Sequence, residues 1–254
     1  MKRIALLLLV AAASLTGVRA QDGVEKLGVF NNLSVGVGLG TTGISLDVAT
    51  PVTPYVALRG GVDLFGRAKV KTDLKISGMP ALYTGPNSFD VEGKTALTAG
   101  HLLADVYPFK KSAFHLTVGA YFGKSKIVTV KNSQEGVLSQ VSEYNRMFPD
   151  NKIGLAMGDF LLTPDEQGNV DATLKVASFR PYIGFGFGRS VPAKHRFALN
   201  FDMGVQLWGT PEVYLRDTKL TKDTNLGGQG DFLKTVSKIT VWPVLNLRLV
   251  GRIL

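Results

Sequence analysis

The sequence has no cysteine, only three histidines and two tryptophans, and, beyond its first twenty residues, no uninterrupted apolar run long enough to be a membrane-spanning helix. Each absence closes off a class. Without cysteine there is no disulfide framework, no thiolate metal site and no lipid-anchored N-terminal cysteine. His101, His115 and His195 form neither an i,i+4 pair nor an H-E-x-x-H, so a histidine-built zinc site is not expected. A spanning helix needs about 20 apolar residues, which excludes a helical membrane protein.

The start of the chain has a different character. Lys2 and Arg3 precede the apolar run from Ile4 to Ala13, and Val18-Arg19-Ala20 has the small-x-small form of a cleavage site. Residues 1–20 therefore read as a secretory signal peptide and 21–254 as one mature domain. The chain carries 29 Lys and Arg against 20 Asp and Glu; removing Lys2, Arg3 and Arg19 leaves 26 against 20, a net charge of +6. An exported chain rarely meets nucleic acid, and the lysines are scattered: Lys69, Lys71, Lys75, Lys110, Lys111, Lys124, Lys126 and Lys131. Solvated loops explain them, with attraction to anionic lipopolysaccharide as the sharper expectation.

What the sequence does contain is alternation. Phe197, Leu199, Phe201, Met203, Val205 and Leu207 are apolar, and the residues between them are small or polar. This length suits the ~9–11 residues with which a tilted strand crosses a bilayer. Eight segments have this pattern or a β-rich composition, at about 32–39, 43–50, 55–65, 97–107, 114–123, 180–189, 196–208 and 241–253. The connections 51–54, 108–112 and 190–195 are short and turn-like, whereas 66–96, 124–179 and 209–240 are long. Thr41-Thr42 alone is short on the long side. The asymmetry predicts an all-β fold, an antiparallel transmembrane β-barrel of eight strands with periplasmic turns and extracellular loops. Within 124–179, the spacing of Val137, Leu138, Val141, Tyr144 and Phe148 predicts a short amphipathic helix, and 152–163 with 170–176 a hairpin. That hairpin either projects above the membrane as an extension of the neighbouring strands or enters the barrel and makes the strands ten; 152–163 lacks a clean lipid-facing phase, which favours the first.

The apolar phase sets the faces. Leu46, Val48, Leu58, Val62, Leu116, Val118, Phe185, Phe187, Leu247 and Leu249 point outward, with Asn200, Asn246, Arg252 and His115 in the opposite phase. That inward phase also holds Asp47, Arg59, Asp63, Asp105, Arg180, Asp202, Gln206 and Arg248, which are expected to form a structural polar network across the lumen. Eight strands leave an interior just wide enough for side chains, so opposite charges should pair and leave no open pore. Inward-phase glycines such as Gly38, Gly184, Gly186 and Gly204 make room for long side chains. The strand-end aromatics Tyr55, Phe65, Tyr107, Phe109, Phe114, Tyr182, Trp208 and Trp242 are expected to form interfacial girdles.

No motif points to chemistry. Gly38-Leu-Gly40-Thr-Thr-Gly43 has the dinucleotide spacing, but an alternating strand follows where a phosphate cradle needs a helix. Lipid hydrolysis would need an outward Ser/His pair, and Ser34 and Ser45 read as inward. The acidic group Asp159, Asp165, Glu166 and Asp171 does not follow a calcium-loop pattern and reads as a solvated tip, with a loosely held Ca²⁺ as the alternative. The expectation is no catalytic residue, no cofactor site and no metal site.

Three stretches carry a resemblance: Asp105-Val-Tyr-Pro-Phe109 leading into 114–123, Pro181-Tyr-Ile-Gly-Phe-Gly-Phe-Gly188, and Asp202-Met-Gly-Val205 running into Gly209-Thr-Pro-Glu212. These resemble small Gram-negative outer-membrane β-barrel proteins, especially the Bacteroidetes type. The resemblance implies an outer-membrane location, a monomer, and insertion by the barrel-assembly machinery. It departs at the C-terminus, where such barrels usually end in an aromatic residue and this chain ends Gly251-Arg-Ile-Leu254. A fold shared by diverse proteins leaves two roles: structural or surface interaction through extracellular loops, with lipopolysaccharide and an external ligand as partners, or a narrow porin or small-solute channel.

Overall fold

Alternating strands with one apolar face have to close on themselves in lipid, and these do. The structure is a computed structural model that describes residues 29–66, 69–78, 85–95, 98–109, 112–157, 160–193, 195–216, 218–220 and 240–254. The expected signal peptide lies outside the described residues. Numbered in chain order with the strands introduced below, the barrel comprises β1 (Ser34–Gly40), β2 (Gly43–Thr53), β3 (Val56–Leu64), β6 (Thr98–Val106), β7 (Phe114–Gly123), β12 (Phe179–Phe187), β13 (Phe197–Leu207) and β16 (Val241–Arg252). All neighbours are antiparallel, and β1 closes the wall by pairing with both β2 and β16, Ser34 lying opposite Ala49 and Arg252. No edge strand is left, as the hydrocarbon interior demands. The barrel has eight strands, not the alternative ten.

Outward residues such as Leu39, Ile44, Leu46, Leu58, Leu116, Val118, Ile183, Phe187, Leu199, Leu247 and Leu249 are all exposed. An apolar belt of this extent suits lipid and would be a liability in water.

The three long connections build a second sheet, with strands β4 (Lys69–Ser77), β5 (Ser88–Thr95), β8 (Lys126–Asn132), β9 (Gly154–Met157), β10 (Phe160–Leu162), β11 (Asp171–Lys175), β14 (Glu212–Leu215) and β15 (Thr218–Lys219). Its order is β10-β9-β4-β5-β8-β11-β14-β15. The central run, β4-β5-β8-β11-β14, repeats the barrel order β3-β6-β7-β12-β13, so each strand stands on a barrel stave. The ladders run on nearly in register. Phe122 faces Phe179 in the barrel and Lys126 faces Lys175 above it, with backbone bonds from Gly123 N to Ser178 O (2.9 Å) and Val176 N to Ser125 O (2.8 Å) bridging the gap.

The polarity of the staves inverts where they leave the lipid. In the barrel the outer face is apolar and the inner face polar; above it Lys71, Glu92, Lys131 and Asp171 form an outward cross-strand row, while Leu74, Ile76, Phe89, Val91, Val130, Ala172, Leu174, Val213 and Leu215 face inward. Opposite charges facing one another across strands support such a sheet. Lys131 and Asp171 pair at 2.7 Å, and Glu92 receives Lys69 at 3.5 Å and Lys94 at 3.4 Å.

The inward side is covered by helix α1 (Ser139–Met147) and by β9 and β10, which bury Leu138, Val141, Ile153, Leu155 and Leu162 against it. Leu138, Val141 and Tyr144 recur at the three-residue spacing of one helical face. Asn145 fixes the segment that follows, its Nδ2 donating to Ile153 O (2.8 Å) and its Oδ1 accepting from Ile153 N (2.7 Å).

One pairing differs from expectation. Residues 152–163 and 170–176 do not form a hairpin with each other: β9 pairs with β10 and β4, whereas β11 pairs with β8 and β14. Pro164 ends the first segment, and Asp165 Oδ1 then accepts from Gln167 N (3.0 Å) and Asn169 N (2.7 Å), folding the tip back toward α1. β11 is left to continue β12.

Two outcomes follow from this wall. Val141→Asp, which places a carboxylate at a fully enclosed position on α1, is expected to open the upper sheet to limited proteolysis within 124–179 while the compact band of the unboiled barrel persists on gels; loss of that band would contradict independent closure of the barrel. Asp73 lies opposite Asp90, whose side-chain hydrogen bond and like charge raise the Asp73 pKa. A carboxyl with a raised folded pKa costs nothing below its unfolded pKa and disfavours folding as pH rises through the raised value. Asp90→Asn is therefore expected to slow proteolysis of the upper sheet at neutral pH, with the difference vanishing in acid.

Candidate functional site

The lumen gathers the charges that the strand phase turns inward. Asp202 on β13 is the hub: its Oδ2 accepts from Arg248 Nε (2.7 Å) and Arg59 Nη1 (3.4 Å), and its Oδ1 from His115 Nε2 (2.9 Å). Arg59 reaches on to Asp105 (3.2 Å) and Arg248 to Asp47 (3.3 Å). Asp105 Oδ1 also accepts from Thr117 Oγ1 (2.8 Å), and its Oδ2 from the Ser190 hydroxyl. Asp63 is bound by His101 Nδ1 (2.9 Å) and Thr42 Oγ1 (3.3 Å), and the far nitrogen of His101 lies 3.7 Å from Asp47. An ionised carboxylate only accepts, so each bonding histidine nitrogen carries the proton. All these side chains are buried.

Of the eight residues expected in the network, Asp47, Arg59, Asp105, Asp202 and Arg248 are joined directly, and Asp63 through His101. Gln206 and Arg180 are in the lumen but outside the cluster. Gln206 Oε1 instead accepts from Trp208 Nε1 (3.1 Å). Arg180 is fully buried, yet none of its guanidinium nitrogens has a hydrogen-bond partner among the described residues. It lies over Gly123, beside a gap also lined by Thr42, Asp63, Ala99, Tyr121 and Gln206 that has no space for a water-sized sphere.

Both ends are shut. At the short-turn end, the segment after β12 tucks inward: Ser34 donates to Ser190 O, Ser190 N donates to the Tyr107 hydroxyl (2.9 Å), and Val191 is buried. At the long-loop end, Tyr121 and Tyr182 cross the lumen with ring centroids 5.5 Å apart, and Trp208 stacks on Trp242 at 4.7 Å, nearly parallel. Ile127 and Val176 pack with this tryptophan layer. Glycine is required beside Tyr182: a Cβ at Gly204 would come 2.5 Å from its hydroxyl oxygen.

This layer corrects the aromatic assignment. Tyr55, Phe65 and Phe109 are exposed at strand ends, as a girdle requires, but Tyr107, Tyr182 and Trp208 are buried and Trp242 is half-buried against the lumen cluster. Position along a strand sets the height of a ring, and the strand phase sets its face. His101 and Ser190 were not foreseen as network members. His101 shares the parity of Asp105 on β6, a signal the sequence does contain; Ser190 sits in a turn, where alternation is silent.

A scan against protein-family models finds no match, and a search of curated proteins finds no relative. Among solved structures, the chain is similar to Acinetobacter baumannii CarO, at 15% identity with a TM-score of 0.44, over 86% of this chain and 96% of that one. It is likewise similar to Acinetobacter baumannii CarO2, at 16% identity and a TM-score of 0.46, over 87% and 98%. At these values the likeness stands as an observation, and the barrel is established by its own strand pairing. None of the comparisons bears on the narrower Bacteroidetes-type resemblance.

Removing one member of a buried ion pair leaves the others uncompensated, at a cost of about 3–5 kcal/mol. Asp202→Ala takes one of two carboxylates from Arg59, which keeps Asp105, and from Arg248, which keeps Asp47, and removes the carboxylate that His115 Nε2 meets. Urea titration of the folded barrel is expected to show a destabilisation of about that size, against about 1 kcal/mol or less for the lipid-facing Met203→Leu, a volume-conserving swap.

Proposed function

We propose that this protein is an integral outer-membrane β-barrel of a Gram-negative bacterium, exported by its signal peptide, inserted by the barrel-assembly machinery and acting as a monomer in contact with lipopolysaccharide. Its role is structural or surface interaction, carried by the wall that extends the barrel into the exterior. It is not an enzyme on this reading. The observation that supports the proposal is the lumen: among the described residues an ion-pair network fills it between two layers of buried side chains, which favours an interacting surface outside.

That surface includes a cleft of about 700 Å³ between α1, the turn at 163–166 and Arg216, with Glu143, Arg146, Lys152, Asp165, Glu166 and Arg216 in its lining. Clefts of roughly 300–1,000 Å³ are the size that holds small ligands. An external ligand with charges of both signs fits this lining.

A narrow channel is the second reading, favoured by Arg180, because an enclosed guanidinium without a bonded partner is a group that a permeation path would present. Planar-bilayer recording separates the two. Wild-type protein is expected to insert without stable openings, whereas reproducible unitary conductance from wild type would establish the channel reading.

A further inference from the structure

The outward face of the upper wall continues the lipid-facing surface of the barrel, strand by strand. On β12 and β11 the residues Phe179, Lys175, Thr173 and Asp171 share one side, and on β7 and the segment above it Phe122, Lys124 and Lys126 share the same side. Phe122 and Phe179, exposed and with rings 5.3 Å apart, are the last aromatic pair before the change. Lys124 and Lys126 stand two and four residues beyond Phe122, and Lys175 four residues beyond Phe179. Lys94 stands four residues beyond Thr98 on the neighbouring stave, opposite Lys69. At ~3.3 Å per residue these lysines begin roughly 7–13 Å along the strand from the last lipid-facing ring, and less in height because staves tilt. The polar layer of a bilayer lies at this level, about 5–8 Å beyond each side of the hydrocarbon.

The charges on this lower tier are unbalanced. Glu92 serves both Lys69 and Lys94, Lys175 lies over the Tyr214 ring at 3.5 Å and opposite Glu212, a carboxylate that Lys219 also engages, and no ion pair joins Lys124 or Lys126 to a carboxylate among the described residues. Higher on the wall the balance is restored by Asp73, Asp90 and Asp171.

We infer that Lys69, Lys94, Lys124, Lys126 and Lys175 form a docking band for the phosphate groups of outer-leaflet lipopolysaccharide. Charge complementarity and continuity with the lipid-facing wall select that occupant: basic groups beside a membrane attract anionic headgroups and lose the attraction within a Debye length. The inference deepens the proposed outer-membrane role and rests on the wall standing on the outer side.

The test compares wild type with the triple variant Lys94→Gln, Lys124→Gln, Lys126→Gln and with the upper-tier variant Lys71→Gln, Lys75→Gln. Each is refolded in phosphatidylcholine vesicles alone, with lipopolysaccharide, or with dephosphorylated lipopolysaccharide, and its unfolding rate in urea is read from gel mobility. Lipopolysaccharide is expected to slow wild-type unfolding by about fivefold per engaged lysine, to slow the upper-tier variant equally, and to lose most of this effect on the triple variant or once dephosphorylated. Equal slowing of the triple variant, or by the dephosphorylated lipid, would overturn the proposal. Neither result bears on the bilayer recording, so the two readings fail separately.

Discussion

Inside lipid, the need of every backbone N–H and C=O for a partner within the protein governs this wall. It forces the sheet to close, and closing eight staves leaves a bore only as wide as the side chains that fill it. Once Asp202, Arg59, Arg248 and Asp47 are turned into that bore by strand alternation, they have nowhere to go except onto one another. The ion-pair network is thus a consequence of closure, and it fills the lumen that closure creates. Glycine supplies the remaining space, as where Tyr182 lies across the β12–β13 pair at Gly184 and Gly204.

The same staves do different work on either side of the membrane surface. Below it an apolar outer face dissolves in lipid and a polar inner face pairs with itself. Above it water lies outside, so charge moves outward, and the inner face becomes apolar once α1, β9 and β10 cover it. Near the boundary the ladder from β8 to β11 shifts by one residue between Leu174 and Lys175, and Ile127 joins Trp208 in the layer that closes the mouth. A bulge is a local way to re-aim side chains without ending the strand.

The barrel was legible because a lipid-facing phase of large apolar residues is hard to produce by chance, as in Phe197 to Leu207. The upper wall outside 152–176 is hard to read for the opposite reason. Lys69-Val-Lys-Thr-Asp-Leu-Lys-Ile-Ser77 alternates cleanly, but its exposed phase is charged and its apolar phase hidden, so a search for lipid-facing strands reads it as loop. Five of the eight proposed network residues meet directly because parity alone fixes the face. Parity does not fix height or neighbour, which is why Arg180 lies apart, why Gln206 meets Trp208, and why Ser190, in a turn, was invisible. The proposed hairpin failed on pairing: short segments of similar composition can be located by sequence, but their partners are chosen by the staves beneath them.

Thiol reactivity reads whether the lumen of the folded barrel is closed to water-soluble reagents, because the chain has no native cysteine to confuse the signal. Ser45→Cys and Thr117→Cys place near-isosteric thiols at fully buried lumen positions, and Ser88→Cys places one on the exposed upper wall. A small water-soluble methanethiosulfonate should label Ser88→Cys promptly and the two lumen thiols only as fast as the barrel unfolds. Labelling of Thr117→Cys in the folded protein at a rate near that of Ser88→Cys would contradict the account.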